Sequence, residues 1–599
     1  MLYVARRRPL PERIVATVEQ YFFQPGGAYS IAICRIFLFV YLYVHVYGLT
    51  SGIIGESGDH YLSTVDLAAY YPKSLVYFFF PSAPPPGWII DAVRRLAAAM
   101  TICAILGLAT RVTMVASVLC CTFLAALQYS WEPLWSHPYN GGLLAGFGFM
   151  FGRAGDGLSL DSLIARYLLR RPIPTARRVY RWPVILGLFG TTAVYFGGFY
   201  AKVSTPGFTF DLAWVLSDNL RNSVALPWLI YGKPLPAIPE LIVDHEWLWR
   251  LAAVGHLATQ ALPILALFSL DRPYWRLAEG AIYVAGIFLL KEVMGFWNPP
   301  WILLAAFFVD WDFFLAKLGL LRSPRGFAPI SRRYRALAAL YAASFMAANL
   351  VVIVTRYDDR GRSRLYPLSS MTFYSSVAAT KPYGEHRHYP FVSAELEIGK
   401  GDQATKYFCY PRISSYGTLA LSGPMAMKLE KEVGAMRAAV QDLETWPSKT
   451  ATDCNGTEID IGGLDAVDLY QSILDIPPCP SRITGFEIGF RALQARYERG
   501  RDRIIAAAAE VPRSPDISIG VASYGLDVGR YDILLAKDPW ENYRIGPLLV
   551  PPGRWEGASF HIDLDYYRSL PTGTYPIVVR VTETTGARYD FFGGVLYRS

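Results

Sequence analysis

The sequence predicts a mainly α-helical polytopic membrane protein with about nine transmembrane helices, followed by a C-terminal soluble α+β domain that ends in β-sandwich-like strands. Two observations lead to this prediction. The 599 residues are 53% hydrophobic and only 18% charged, which is too apolar for a chain of this length to be soluble throughout. After residue 356 the apolar runs give way abruptly to a polar chain that still contains many aromatic residues.

Composition divides the chain into five segments. Residues 1–28 form a cytoplasmic N-terminal segment, without the small-residue cleavage site of a signal peptide. Residues 29–320 form the transmembrane domain, and residues 321–356 contain a basic cytoplasmic linker and the last transmembrane helix. The remainder is predicted as an extracytoplasmic mixed domain at 357–510 and an extracytoplasmic β-rich domain at 511–599.

Nine apolar runs are candidates for crossing a bilayer, which requires roughly 17 to 25 residues each. The run beginning at Gly141 is short and is expected to be tilted or buried among its neighbours. The runs are Ile31–Leu49, Ala92–Leu108, Val112–Leu127, Gly141–Phe151, Trp182–Tyr200, Leu248–Phe268, Leu277–Met294, Trp301–Leu318 and Leu337–Val354.

Two basic segments predict the orientation. Several arginines lie in Arg153–Arg181 and several more follow Leu318, and such loops stay in the cytoplasm. Nine crossings with the N-terminus inside satisfy both segments and place everything after Arg356 outside, as in a multi-pass cell-membrane protein. Because cytoplasmic loops account for the formal charge of +8, no nucleic-acid partner is expected.

The C-terminal part shows both helical and strand-like patterns. Helical spacing predicts helices at Met425–Leu443 and Phe486–Ala509. Alternation predicts strands, with Gly573 and Gly586 in turns, at Ile517–Ala522, Tyr531–Ala536, Ser559–Leu564 and Tyr575–Thr582.

The cysteine pattern does not indicate a metal site. The seven cysteines form neither a CxxC motif nor a Cys/His ligand spacing. Outside the cytoplasm Cys454 and Cys479 could pair and leave Cys409 free, and three reduced thiols are an equally open interpretation.

Ionisable residues inside apolar runs are costly and mark candidate functional positions. Arg35 has the alternative interpretation of reaching the headgroups or pairing with a polar neighbour. His256 has the alternative of a core histidine bonded to a neighbouring helix. Lys291 and Glu292 point about 100° apart on a helix, so we expect no direct ion pair between them.

His137 and Lys202 stand out because the predicted topology brings them to one membrane face. Lys202 follows the aromatic residues Tyr195 and Phe199, so its amine is expected to be poorly solvated and able to accept a proton. His137 could then donate a hydrogen bond to a substrate oxygen. The alternative is that Lys202 extends outward and His137 caps a helix.

Two motifs resemble a known family. The stretch Trp135–Ala145 (WSHPYNGGLLA) and the stretch Val194–Val203 (VYFGGFYAKV) resemble the active-site segments of vitamin K-dependent γ-glutamyl carboxylase and its bacterial relatives, the HTTM-domain proteins. Ala32–Phe39 and Leu106–Arg111 are weaker matches. The similarity extends over roughly Tyr21–Leu320, in family order and near-family spacing.

The resemblance implies an enzyme that oxidises a quinol in the membrane. It implies Lys202 as the catalytic base that starts oxidation of reduced vitamin K or menaquinol by O2, and His137 as the assisting catalytic histidine. We expect Tyr139, Tyr195, Phe199 and Arg35 to bind the quinol, and no metal. Coupled carboxylation of glutamate would add a protein or peptide partner on the outer face, beside the lipid bilayer itself.

The sequence departs from the family pattern at positions that bear on whether quinol oxidation is coupled to glutamate carboxylation. Ala201 stands where the animal enzyme has a second lysine, and Ala281–Met294 lacks a further family histidine. The resemblance therefore implies quinol chemistry more directly than glutamate carboxylation.

Two further classes remain open. A non-catalytic lipid- or quinone-binding scaffold would present the outer domain to a partner, with Lys202 anchoring a headgroup. A transporter fits less well, because there is no clear internal repeat, although Asn298-Pro299-Pro300 interrupts one helix junction.

Overall fold

The computed structural model describes the chain in two groups of residues. The first group comprises residues 17, 19–65, 70–131, 139–171, 176–205, 209–210, 212–229, 235–295, 297–320, 330–355 and 365–368. The second comprises residues 387–398, 405–408, 433–434, 436–437, 440, 450–452, 458–460, 464–476, 487–510, 518–536, 548–571 and 573–598. The chain forms two compact units, residues 1–216 with 251–377, and residues 217–250 with 378–599.

Eight helices are numbered α1 to α8 in chain order. They are α1 (Ala28–Ile54), α2 (Gly87–Leu106), α3 (Thr110–Gln128), α4 (Asn140–Phe149), α5 (Arg181–Val203), α6 (Glu246–Leu267), α7 (Pro273–Met294) and α8 (Arg332–Thr355). A 3₁₀ helix, Pro299–Phe308, and the helix Trp311–Lys317 follow α7. Shorter helical segments are Gly58–Thr64, Ser74–Phe79, Tyr129–Trp131, Ala154–Asp156, Leu160–Leu163, Ile164–Leu168, Ala213–Leu216, Asn219–Leu229 and Ala237–Asp244.

All nine predicted apolar runs fall on helices, but fewer have the length and composition of a membrane span. Among the described residues α1, α3, α5, α6 and α8 are long and apolar enough to cross a bilayer. The pair Pro299–Phe308 and Trp311–Lys317, bent by 74°, would make a sixth as a broken span. The helix α4 has only 10 residues, and α2 and α7 each contain more than two charged residues. Nine crossings therefore remain a prediction.

The helices α1 and α5 run in the same direction and α4 runs against them. The residues that precede α1 and α5 pair as short strands, Gly26–Gly27 with Ala176–Arg177, so both helices begin at one end of the bundle. A Cβ on Gly148 would lie 2.5 Å from the Leu186 carbonyl oxygen, whereas one on Gly141 would lie 3.6 Å from the Val194 side chain. The start of α4 therefore lies beside the C-terminal half of α5.

Twelve strands of the second unit form one hydrogen-bonded network. They are β1 (Arg387–Ile398), β2 (Thr405–Phe408), β3 (Leu464–Ile476), β4 (Glu487–Glu498), β5 (Arg503–Glu510), β6 (Ser518–Tyr524), β7 (Val528–Ala536), β8 (Leu548–Leu549), β9 (Gly553–Glu556), β10 (Ser559–Ile562), β11 (Gly573–Glu583) and β12 (Arg588–Arg598). The main path is β8-β7-β11-β12-β4-β5-β6-β10-β9, with β3, β1 and β2 branching from β4. The short pairs Ser204–Thr205 with Thr209–Phe210 and Thr450–Thr452 with Glu458–Asp460 stand apart, as do the helix Leu564–Ser569 and the 3₁₀ turn Arg499–Arg501.

The four predicted C-terminal strands are confirmed as β6, β7, β10 and β11, within a few residues at their ends. Gly586 lies in the turn before β12 at a φ of 85°, whereas Gly573 starts β11. Strands from both sides of residue 510 share the sheet, so the expected division at 510/511 falls inside one structural network.

The predicted helix at Phe486–Ala509 is wrong. Strand β4 pairs with β3 along one edge and with β5 along the other, and Ala492, Leu493, Gln494 and Ala495 are all buried. A strand covered on both faces loses the alternation that identifies strands in a sequence, and pairing on both edges overrides local helix propensity. Most of the predicted helix Met425–Leu443 lies outside the described residues, and the five that are described are helical.

Candidate functional site

Lys202 is buried in the last turn of α5. Its side chain is 4% exposed, and its Nζ donates a hydrogen bond to the Gly198 carbonyl at 3.2 Å. The same Nζ lies 5.6 Å from the centre of the Trp214 ring, in cation–π geometry. The amine is thus held among apolar atoms with its position fixed from two sides, and it does not extend into open water.

Trp214 also connects Lys202 to a histidine. Its ring stacks on that of His256 in α6, with centroids 5.7 Å apart and planes at 27°. His256 is partly buried, and its ring contacts the neighbouring helix Ala213–Leu216 through Trp214. Spacing along the chain does not reveal a tryptophan shared by His256 and Lys202, so the sequence gives no sign of this link.

A tyrosine-rich cluster lies on the Lys202 side of α5. Tyr195 is two turns before Lys202, on the same face and about 10 Å away along the axis. The Tyr195 ring packs 4.8 Å from that of Tyr283 and 6.1 Å from that of Trp301. The Tyr283 hydroxyl donates to the Trp301 carbonyl at 2.9 Å. Aromatic faces and hydroxyl groups therefore line the stripe that leads to Lys202.

The start of α4 adds further groups to this cluster. Tyr139 is 2% exposed, donates to the Gln128 Oε1 at 3.2 Å, and packs its ring 5.4 Å from that of His45. Asn140 is fully buried and donates from Nδ2 to the Pro367 carbonyl at 3.1 Å. His137, the predicted partner of Lys202, lies outside the described residues, so their convergence on one chamber stays a prediction.

Arg35 is not part of this group. It is fully buried and donates to the carbonyls of Ala154 and Leu158, each at 2.6 Å, and of Ile105 at 3.4 Å. With a rise of 1.5 Å per residue, Arg35 lies about 10 Å from the start of α1 and Lys202 about 32 Å from the start of α5. Since both helices begin at the same end, Arg35 and Lys202 lie at opposite ends of the bundle.

Side-chain contacts bear on two other sequence predictions, and quinol binding by Phe199 stays a prediction. Phe199 is half-buried and packs on Phe196 at 5.9 Å, one turn from Lys202. The expectation that Lys291 and Glu292 do not pair is wrong: Lys291 Nζ lies 2.9 Å from Glu292 Oε1. Both side chains are long enough to meet across the 100° between adjacent helical positions, and both are about half exposed.

The residues singled out from the sequence did not include His45, which is buried in the second half of the first apolar run. It is 5% exposed and lies in a π-helical turn, Leu42–Tyr47, within α1. Its presence in a membrane-length helix was itself a signal, because ionisable residues at such positions are rare. Lys73, fully buried with its Nζ 5.3 Å from the Tyr71 ring centre, was missed because it lies in a loop rather than an apolar run.

Comparison with protein-family models, with curated proteins and with solved structures finds no match to this chain. The described residues contain no group of three or more His, Cys, Asp or Glu side chains able to hold a metal ion. What the arrangement offers is a buried amine, several buried phenols, two imidazoles and flat aromatic surfaces.

Proposed function

We propose that this chain is an integral-membrane, carboxylase-like enzyme that uses a reduced naphthoquinone and O2, with Lys202 as general base. The observation that carries the proposal is the burial of Lys202 at 4% exposure, beside Trp214 and on the same α5 face as Tyr195. A solvent-exposed anchor for a lipid headgroup would not need this environment. The resemblance of the two motifs supplies the reaction class.

The residues present fit a flat ligand with two oxygens. Aromatic rings at Trp214, Tyr195 and Trp301 offer surfaces for an apolar ring, and the Lys202 amine offers a group that can bond to an oxygen. When bound, a reduced naphthoquinone supplies the electrons that O2 consumes. Lys202 would accept the proton of a ring hydroxyl, since burial deprives an ammonium of hydration and favours the neutral amine.

The proposal includes an orientation and a substrate side. The arginine-rich segments before α5 and before α8 support a cytoplasmic location for the ends from which these helices start. Lys202, at the far end of α5, and the second unit would then face outward. Coupled carboxylation of a glutamate in a protein or peptide would take place on that side, and quinol oxidation without carboxylation is the narrower form of the proposal.

The test is quinone epoxide formation by the full chain in lipid nanodiscs. Purified protein receives reduced menaquinone or vitamin K with O2, and the products are separated by chromatography. We expect epoxide from the wild type and a loss of at least 100-fold with Lys202→Met, which keeps the length of the side chain and removes the base. Lys291→Met is the matched control, because it removes an exposed lysine from another helix and should leave the rate unchanged.

The outcomes separate the proposal from its alternative. Absence of epoxide from folded protein across several naphthoquinols would reject quinol oxidation. Tight quinone binding without turnover, equal in Lys202→Met and wild type, would favour the non-catalytic scaffold. Incorporation of labelled CO2 into a glutamate-containing peptide would extend the activity from epoxidation to carboxylation.

A further inference from the structure

The polar pair of His45 and Asn298 occupies the apolar interior of the first unit. The two side chains are 5% and 7% exposed, and Asn298 Nδ2 lies 3.2 Å from His45 Nε2. Burying an imidazole and an amide in a membrane-length bundle costs free energy that a pair of apolar side chains would not. Their mutual hydrogen bond offsets part of this cost.

Both residues lie where regular helix geometry breaks down. His45 belongs to the π-helical turn Leu42–Tyr47 of α1, and Asn298 directly precedes the 3₁₀ helix that begins at Pro299. Single π-helical turns occur often at functional sites. Irregular backbone at membrane depth is tolerated where it is enclosed by protein or lines a cavity. Two independent irregularities therefore meet at one polar contact.

Aromatic residues pack against the His45 ring of this pair. The His45 ring lies 5.1 Å from that of Tyr41 and 5.4 Å from that of Tyr139. Tyr41 lies near Tyr195 and forms a side-chain hydrogen bond with Trp301. A Cβ on Gly142 would meet the Tyr41 ring at 1.8 Å, so the start of α4 is pressed against the same residues.

The position of His45 along the helix axis also places it near the level of Tyr195 and Lys202. His45 lies about 26 Å from the start of α1, and Tyr195 and Lys202 lie about 21 and 32 Å from the start of α5. These two helices begin together and run in the same direction. His45 therefore lies at the level between the aromatic stripe and the buried amine.

We infer that His45, oriented by Asn298, is a second ligand-binding residue of the site, which hydrogen-bonds to an oxygen of a planar aromatic ligand. This inference rests on the proposed function for the class of ligand, a 1,4-naphthoquinone or its quinol. Because Asn298 Nδ2 can only donate, His45 Nε2 accepts this hydrogen bond and Nδ1 carries the ring proton. The imidazole can therefore donate to a ring oxygen, which accepts a hydrogen bond in either oxidation state. The Tyr41 and Tyr139 rings limit the directions from which the oxygen reaches it.

The experiment measures binding of an oxidised menaquinone whose isoprenoid chain has been shortened. This measurement requires no turnover. Quenching of tryptophan fluorescence gives Kd for the full chain in nanodiscs. We expect His45→Phe to raise Kd at least 10-fold, and His45→Gln and Asn298→Leu to raise it several-fold. His60→Gln, which changes an exposed histidine in the helix Gly58–Thr64, is the control and should leave Kd unchanged.

A second measurement avoids dependence on variants that fold poorly. A photoreactive naphthoquinone is cross-linked to the wild type, and the labelled peptides are identified by mass spectrometry. Labelling within Leu42–Tyr47 or around Asn298, competed by menaquinone, is the expected result. Labelling confined to other helices, or an unchanged Kd in folded His45→Phe, would overturn the inference.

The two proposals fail in different ways. Binding that depends on His45 without any epoxide formation would retain this inference and reject the enzymatic one. Epoxide formation at the wild-type rate in His45→Phe, with unchanged Kd, would reject this inference and retain the proposed enzymatic function.

Discussion

Arg35 is a buried charged residue that connects three segments of the first unit by hydrogen bonds. Its guanidinium joins α1 to the end of α2 and to the loop after α4 by donating to three backbone carbonyls. A Cβ on Gly107 would lie 2.6 Å from Arg35 Nη1, so the turn after α2 closes directly over the guanidinium. Guanidinium suits this role because its donors are arranged in a rigid fork.

Replacing Arg35 should destabilise the fold without changing the proposed site directly. Arg35→Met leaves the three carbonyls without this donor, at a cost of about 3 kcal/mol. We expect a lower midpoint of thermal unfolding in detergent, with Kd for menaquinone unchanged in the folded fraction. Arg95→Met on α2, which changes an exposed arginine, is the control. A weakened Kd with normal thermal stability would instead support the original prediction of Arg35 as a quinol-binding residue.

Chemistry and motif in the sequence led to the prediction of Lys202, Tyr139 and Tyr195 as site residues, and the structure shows that all three are buried. The sequence did not identify His45 or Asn298. Their significance lies in a contact between residues 253 positions apart, which spacing along the chain cannot reveal.

Among the elements, α4 and α5 depend on glycines for their close approach. A Cβ on Gly190 would lie 2.5 Å from the backbone nitrogen of Ala145, and one on Gly148 would meet the Leu186 carbonyl oxygen at 2.5 Å. Small residues let helix backbones approach closely in this way in membrane proteins. This contact holds the start of α4 beside the half of α5 that carries Tyr195 and Lys202.

Gly190→Ala should therefore force the two helices apart. The added methyl group meets backbone atoms that cannot rotate away, so we expect a loss of about 2 kcal/mol and a reduced epoxide yield. Gly255→Ala on α6 is the matched control, because no atom lies within 4 Å of the added Cβ. Removing a helical glycine there should stabilise the chain by up to about 1 kcal/mol. Equal thermal midpoints for the two variants would contradict the close contact.

In the sheet, β4 anchors an ion-pair network. Arg496 lies 2.9 Å from Asp468 and 3.0 Å from Glu397, and Arg503 lies 2.8 Å from Glu498 and 3.0 Å from Glu583. The end of β4 thus places Arg496 and Glu498 on one side, whereas Ala492–Ala495 before them are all buried. This combination, read along the chain alone, looked helical.

Acid should weaken this network through Glu498. Burial acts to raise the pKa of Glu498, but the hydrogen bond and charge of Arg503, with the Tyr589 hydroxyl and Arg496, lower it overall. A carboxylate whose folded pKa is depressed contributes stability above its unfolded pKa of about 4.5, and loses it as pH falls through the folded value.

Glu498→Gln should remove this part of the acid dependence. Thermal unfolding of the full chain, followed from pH 7 to pH 3, should show a flatter decline for the variant and a lower midpoint at pH 7. Asp590→Asn, which breaks the more exposed pair with Arg580, serves as the comparison and should have the smaller effect at pH 7. A Glu498→Gln profile parallel to that of the wild type would rule out this carboxylate as the source.

For the whole molecule, the proposed orientation is the property that an experiment can settle most directly. Within the described part of the chain, helix length and composition support five spans, or six with the bent pair, and nine spans stay a prediction. The direction therefore rests on the arginine-rich segments. These segments precede α5 and α8, and both helices are proposed to start on the cytoplasmic side.

Epitope insertion tests this orientation in intact cells. An epitope at Gly586, in the exposed turn before β12, should bind antibody without permeabilisation of the cell membrane. An epitope between the exposed residues Arg170 and Arg171 should bind only after permeabilisation. Accessibility of both from the same side would refute an arrangement with the second unit outside and the basic segment inside.

The sequence by itself determined the division into an apolar helical part and a polar strand-containing part, because hydrophobicity and periodicity are local properties that each segment carries along its own length. It also determined that Lys202 lies near the end of an apolar helix. Only the tertiary structure decided that Trp214 links Lys202 to His256, that Arg35 lies at the opposite end, and that β4 is a strand. Each of these depends on contacts between distant residues, whose energies outweigh the local propensities that a sequence displays.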